Sequence, residues 1–383
     1  MKIVFLISSV GHGKGGHFHD LNTIANELGI NNDVFIINLG YRKSDVFDSR
    51  NYNTFFVKFN GYNFFKALGS IKSLTKKINP DAINAFDLES FAFSRLISLK
   101  FNQQNYLTKC GGPNPKRYFP QADNLVLVSD ENLDYFRQRD RYKNTEVILI
   151  PDRVAKVNLD YTRINDFKAK HNLTKHTILR INRIGKHYHK TMIQSVNLLK
   201  WLANKGLDVK LVILGTIQNE EILNSVLEHI RLNNLENKVI VETSDVFTHN
   251  ASELVDIGDA IIGTGRNFME ASSLNKLVFV PYNEGEYPLL VNNSNFNEIL
   301  ASNFSPRTKV KDFNSEINLN NIFQAFTDQD SQNSIKWFEQ YFDVANGALK
   351  YEKLYQNNFN KKPVKLIDTL TNILYAIKTF VLK

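Results

Sequence analysis

At 383 residues the chain is long for one domain and natural for two of about 150–200 residues each. Hydrophobic residues make up 43% and charged residues 22%, which is ordinary for a soluble globular protein and excludes a disordered or fibrous one. The net charge of +8 implies anionic company, whether phosphorylated small molecules, nucleic acid or an acidic membrane surface. A single cysteine, Cys110, excludes an internal disulfide and suits a reducing compartment.

Residues 2–10 are a continuous apolar run, which predicts a central parallel strand. It is not read as a signal peptide, because Gly11, His12, Gly13 and Lys14 break it and no small-residue cleavage site follows. The loop ends in Gly15-Gly16 and opens a helical pattern through Leu21, Ile24, Ala25 and Leu28. Strand, glycine loop and helix form an anion-receptive unit, although no Gly-Lys-Ser/Thr follows and the loop is not a P-loop. His12, His17 and His19 lie close together without an acidic or Cys partner at ligand spacing, so no metal is expected. His17, directly after the glycines, is a candidate for contacting substrate, with ordinary packing as the alternative.

Asp33–Leu39 then predicts a strand and Tyr62–Ile78 a helix. The segment 80–87 predicts a strand whose end carries Asn84 and Asp87. Asp87 reads either as a group at the ligand-binding end of a doubly wound sheet or as the cap of the next helix. The strand around Tyr106–Thr108 runs into a Gly/Pro-rich loop containing Lys109, Lys116 and Arg117. Strands at Leu125–Ser129 and Val147–Ile150 follow, and residues 153–174 read as a linker.

Alternation restarts at Thr177–Leu179, whose strand end carries Arg180, Arg183, Lys186, His187, His189 and Lys190 ahead of a helix through Met192, Val196, Leu199 and Leu202. A cationic loop there is what a leaving diphosphate requires; a solvated basic loop or an RNA-binding patch is the alternative. Aromatic residues do not interleave with the basic runs, so nucleic acid is not expected. Val209–Gly215 is a further parallel strand, followed by a helix through Ile222, Val226 and Ile230, a strand at Lys238–Val241 and a short helix around Ser252–Ile257. The most informative run is 259–281: a strand (Ala260–Ile262), a tight turn (Gly263, Thr264, Gly265), a helix, and a strand (Leu277–Val280) stopped by Pro281. Arg266 adds a fork of donors at the turn, and Glu270 follows one helical turn later on the same side. A carboxylate beside a phosphate site can accept hydrogen bonds from ribose hydroxyls; a solvated Glu in a plain βαβ crossover is the alternative.

This run resembles the nucleotide-sugar half of GT-B glycosyltransferases of the large family-4-like group. The resemblance rests on the glycine turn, on Glu270-Ala271 and on SLNKLVFVP, and it extends over about residues 175–281. KGGHFHDLNTIANEL resembles the Gly-Gly start of the first domain in that group, and PDAINAFDLESFAFSRL its strand ending in a loop, carried here by Asp87. The group has two glutamates eight positions apart; the later matches Glu270 and the earlier falls on Ile262.

The resemblance implies an α/β GT-B fold: two Rossmann-like domains facing across a cleft, with residues 1–155 on the acceptor side and 175–360 binding the nucleotide sugar. It implies transfer of a sugar from a nucleotide diphosphate sugar to an acceptor hydroxyl, in bacterial surface polysaccharide synthesis (capsule, O-antigen or lipopolysaccharide). Arg183 and Lys190 would grip the leaving diphosphate, with Lys186 as the alternative lysine, and Glu270 would hold the ribose. Gly15, Gly16, Gly263, Thr264, Gly265 and Arg266 would supply donors, with His17 and Asp87 as further catalytic candidates. Cations already neutralise the phosphates, so the scheme requires no metal and no cofactor beyond the donor. The expected partners are the donor and a glycan or lipid-linked glycan acceptor, in the cytoplasm and with the inner face of the cell membrane as an option.

Two other readings stay open. A nucleotide-sugar epimerase would need paired carboxylates, and the first half offers only Asp20, Asp87 and Glu89. A non-catalytic binding subunit is favoured by Ile262 and opposed by the joint presence of Arg183, Lys190 and Glu270. The tail, 361–383, places apolar residues 366, 370, 373, 374, 377 and 381 on one helical face with Lys at both ends. That face either packs back on the first domain or lies on an anionic membrane.

Overall fold

The computed structural model describes residues 1–11, 13–101, 103–116, 118–173, 176–328, 330–357 and 366–382; His12, Arg117 and positions 361–365 of the tail lie outside the described residues. The chain forms two units, one of Met1–Val154 with Phe342–Lys383 and one of Ala155–Tyr341.

The first unit begins β1 (Lys2–Ser9), α1 (Gly16–Leu28), β2 (Asp33–Gly40), β3 (Tyr52–Lys58), α2 (Phe64–Ile78), β4 (Ala82–Ala85) and α3 (Leu88–Phe101). It continues with β5 (Gln104–Lys109), β6 (Asn124–Leu127), α4 (Asp130–Arg137) and β7 (Glu146–Leu149). Its seven strands form one parallel sheet in the order β3-β2-β1-β4-β5-β6-β7. The unbroken apolar stretch of β1 suits its central place, where both faces are covered. Ile3, Phe5 and Ile7 pack in one core with residues of α1, while Val4 and Leu6 pack in another with residues of α2 and α3. The order reverses between β1 and β4, so a crevice opens where their C-terminal ends diverge.

The second unit holds α5 (Tyr161–Lys170), β8 (Thr177–Ile181), α6 (His189–Asn204), β9 (Lys210–Leu214), α7 (Glu220–Leu232), β10 (Val239–Glu242) and α8 (Asp245–Thr248). It continues with β11 (Ala260–Ile262), α9 (Arg266–Ser272), β12 (Leu277–Val280), β13 (Leu289–Leu290), α10 (Phe296–Ala301), α11 (Ser315–Asp328) and α12 (Ser334–Tyr341). Its sheet runs β10-β9-β8-β11-β12-β13, parallel except for the last strand. Here the reversal lies between β8 and β11.

The chain then returns to the first unit as α13 (Val344–Gln356) and α14 (Leu366–Val381). Two expectations change. The segment 153–174 is not a bare linker: Asp160 caps α5, accepting from the Arg163 N–H at 3.0 Å, and Ile164 and Phe167 are buried. The second unit ends at Tyr341 and not at 360, because the buried face of α13 (Val344, Ala348, Tyr351, Leu354) joins the core around α1.

The tail helix also turns a different face inward. α14 packs on α3, but the positions it buries are Asp368, Thr369, Asn372, Ala376 and Phe380. Asp368 accepts from Arg95 Nη1 at 3.0 Å and Arg141 Nη2 at 2.7 Å, and Asn372 donates to the Leu88 carbonyl at 2.9 Å. These bonds rotate Leu366, Leu370 and Leu374 outward and leave Ile373, Ile377 and Val381 at the margin of the contact.

Candidate functional site

The sheet reversal in the second unit brings together most of the residues singled out in its sequence. Gly263 continues β11 through its N–H, which donates to the Phe279 carbonyl at 3.0 Å. A Cβ on Gly263 would lie 2.8 Å from the Phe268 nitrogen, so only glycine lets α9 start so close to the strand. Gly265 sits at φ 50°, ψ −117°, a conformation that side-chain-bearing residues avoid, and this turns the chain into α9. Asn267 Nδ2 donates to the Ile181 carbonyl at 2.6 Å and so ties α9 to the end of β8. Sequence reasoning missed this tether; its only signal was an amide side chain just after the turn.

Arg266 and Glu270 do lie on the same side of α9, and the Arg266 Nε donates to Glu270 Oε1 at 2.7 Å. Glu270 is buried, with Arg266 half-buried over it. The guanidinium thus engages the carboxylate, whereas the sequence reading aimed it at a phosphate. α9 has only seven residues, so its dipole is small.

Those cations follow β8. The loop 182–185 is zipped to the loop after β9: Asn182 N–H donates to Leu214 O at 3.0 Å, Ile184 N–H to Thr216 O at 2.9 Å and Gln218 N–H to Ile184 O at 2.8 Å. Arg183 and Lys186 project from this loop, exposed and with no ion pair among the described residues; the Arg183 guanidinium lies 5.9 Å from the Tyr188 ring centre. Lys190, on the first turn of α6, is exposed and donates to the Asn283 carbonyl at 2.5 Å. Arg180 plays a different part. It is buried and donates to Asn182 Oδ1 (2.7 Å), the Thr191 carbonyl (2.8 Å) and Ser195 Oγ (3.0 Å), fixing the loop to α6; burial lowers its pKa to about 9.

In the first unit, Gly15 and Gly16 open α1 at the edge of the β1/β4 crevice, and the His17 ring lies back against Gly15. Asp87 caps α3: its Oδ1 accepts from the Ser90 N–H and its Oδ2 from the Ser8 N–H, both at 2.6 Å. Burial raises the Asp87 pKa, and the two N–H donors and His17 oppose that rise. Burial lowers the His17 pKa, with Asp87 and Asp20 pulling it up. Asp20 pairs with the buried Arg153 at 3.2 Å, a partner 133 positions away that no local pattern announces. Lys109 folds back on Gly111 O (3.0 Å) and Asn132 Oδ1 (2.9 Å), and burial raises the Cys110 thiol far above its ordinary value. Among the described residues, no group of three His, Cys, Asp or Glu side chains is placed to hold a metal ion.

No family model and no curated protein matches this sequence. Solved structures do match along nearly the whole chain. A glycosyltransferase from Rickettsia africae has a TM-score of 0.66 at 17% identity, covering 93% of this chain and 97% of its own. Anabaena HepE in complex with UDP-glucose has a TM-score of 0.64 at 14% identity, covering 93% and 100%. The lipopolysaccharide outer core galactosyltransferase WaaB has a TM-score of 0.55 at 12% identity, covering 92% and 100%. With its two parallel-sheet Rossmann-like units, the chain has the GT-B fold of these glycosyltransferases.

Proposed function

We propose that this protein is a glycosyltransferase that moves a sugar from a nucleoside diphosphate sugar to an acceptor hydroxyl, with the donor held by the second unit. The observation that carries the reading is the composition of the β8/β11 crevice. Arg183, Lys186 and Lys190 are exposed at the end of one strand, and a buried Glu270 lies behind the glycine turn at the end of the other. A diphosphate would complete the charge of the first set, and ribose hydroxyls are natural donors to the carboxylate. HepE, of similar fold, has been crystallised with UDP and with UDP-glucose.

In the reaction, the bond between the anomeric carbon and the diphosphate oxygen breaks and its electron pair stays on the diphosphate. The acceptor oxygen forms the new bond and gives up its proton. Cations fixed beforehand at the leaving oxygens lower the barrier because they need not reorganise as charge develops. Arg183 and Lys190 are assigned that role, with Lys186 beside them.

The finer reading is a lipid-linked or glycan acceptor in bacterial surface polysaccharide synthesis. It is supported by the basic net charge and by the fold shared with a lipopolysaccharide galactosyltransferase. One observation favours a second reading, a nucleotide-binding subunit without transfer: Ile262, where the resembling group carries its earlier glutamate, is buried in the core. Release of nucleoside diphosphate from a panel of nucleotide sugars, with and without candidate glycan acceptors, separates the two. Transfer predicts that one donor is consumed and that Arg183→Ala and Glu270→Ala abolish this. Nucleotide binding without turnover on any acceptor would favour the second reading.

A further inference from the structure

We propose that α14 and the start of α2 form a docking surface for an anionic lipid bilayer. The inference does not rest on the transfer reaction. The first half of α14 has inverted polarity. A helix packed on a globular core normally buries its apolar stripe and shows its polar one. In its first half α14 buries Asp368, Thr369 and Asn372 and shows Leu366, Ile367, Leu370 and Leu374, at 74%, 72%, 50% and 66% exposure; in its second half it buries Ala376 and Phe380 in the usual way. The bonds of Asp368 to Arg95 and Arg141 hold the helix in this orientation, so the outward leucines are a fixed feature of the fold.

The apolar surface continues onto the next element. Tyr62 and Phe65, 81% and 85% exposed, stand across an open groove of about 660 Å³ from Leu374, Lys378 and Leu382. Large apolar side chains this exposed and this contiguous have a cost in water and mark a contact surface.

Charge selects the occupant. α2 carries Lys66, Lys72, Lys76 and Lys77 and no Asp or Glu. On α14 the one carboxylate is the buried, paired Asp368, so the charge it presents is that of Lys378. Lys72 lies against Lys100 of α3, whose neighbouring ammonium lowers the Lys72 pKa. An anionic surface would relieve that repulsion. A second copy of the chain would bring the same lysines against one another, and lysine is depleted from the centres of protein interfaces. Leucines and aromatics beside lysines fit the boundary of headgroups and acyl chains, where the rings and stems insert and the ammoniums meet phosphates. Docking here is peripheral, since no helix among the described residues is long and apolar enough to cross a membrane.

The test is co-sedimentation of the full chain with phosphatidylcholine vesicles, with and without phosphatidylglycerol. The expected result is binding that requires phosphatidylglycerol and weakens as salt is raised. Phe65→Glu with Leu374→Glu should lower it about tenfold or more. Lys66→Ala with Lys378→Ala, which leaves the apolar contact untouched, should lower it about fivefold per lysine. Both variants should unfold at the wild-type temperature. The proposal is overturned if the chain ignores anionic vesicles, or if folded Phe65→Glu/Leu374→Glu binds them as wild type does. It is equally overturned if those substitutions dissociate a concentration-dependent dimer while leaving vesicle binding unchanged.

Discussion

The two sheets reverse their strand order in the same way, yet the crevices they open differ in how far the chain balances its own charges. At β1/β4 the charged groups are answered within the first unit: Asp87 by the N–H groups of Ser8 and Ser90, Asp20 by Arg153, and His17 by burial in its neutral form. At β8/β11 the chain answers one acid, pairing Glu270 with Arg266, and leaves Arg183 and Lys186 without an ion pair among the described residues. On the proposed function, the sheet order supplies a place for a ligand and the charge left over selects an anionic one.

The comparison can be broken most forcefully at Asp20. Asp20→Ala removes the carboxylate paired with the buried Arg153 and should cost about 3 kcal/mol in denaturant unfolding, as breaking a buried ion pair does. Next is Gly215, where a Cβ would stand 1.7 Å from the Asn182 carbonyl oxygen. Gly215→Ala should cost about 3 kcal/mol and, by parting the two loops, weaken nucleotide binding as well. Arg183→Ala should act the other way round. Stability should change by less than about 0.5 kcal/mol, because the side chain is exposed. Affinity for a nucleoside diphosphate should fall by about 1.5–3 kcal/mol, roughly ten- to a hundredfold in a titration.

The smallest effect is one of pH. His17 has its folded-state pKa below the ordinary 6.5, so the folded chain binds fewer protons than the unfolded chain in that window. Its contribution is fully present above about pH 6.5 and is lost as pH falls through the range below. Asp87, whose pKa is raised, works with the opposite sign: its penalty is complete above the raised value and is relieved on acidification. Unfolding curves at neutral and mildly acidic pH should show the decline in wild type and its loss in His17→Gln.

The β8/β11 crevice was the more legible of the two. Strands such as Val209–Gly215 and Leu277–Val280 are unbroken apolar runs ended by Gly or Pro, and Arg266 and Glu270 are four residues apart on one helix. What the sequence concealed depended on distant partners. The edge strand β3 has exposed and half-buried positions interspersed through Tyr52–Lys58 and shows no clean alternation. α5 shows only Ile164 and Phe167 as apolar anchors in a lysine-rich stretch. The inward face of α14 was misread because Asp368 finds Arg95, 273 positions away, and that ion pair outweighs the leucine stripe. Arg180 looked like one more cation of the loop, and only packing shows it donating to Thr191 and Ser195.

The central claim, that the second unit's crevice holds the nucleotide, is tested most directly by thermal shift with UDP, GDP, CDP and ADP. The wild-type chain would be compared with Arg183→Ala, Glu270→Ala and His17→Ala. The account predicts stabilisation by one of the four, lost in Arg183→Ala and Glu270→Ala and kept in His17→Ala. A shift that survives in Arg183→Ala and Glu270→Ala but disappears in His17→Ala would move the nucleotide to the first unit and contradict it.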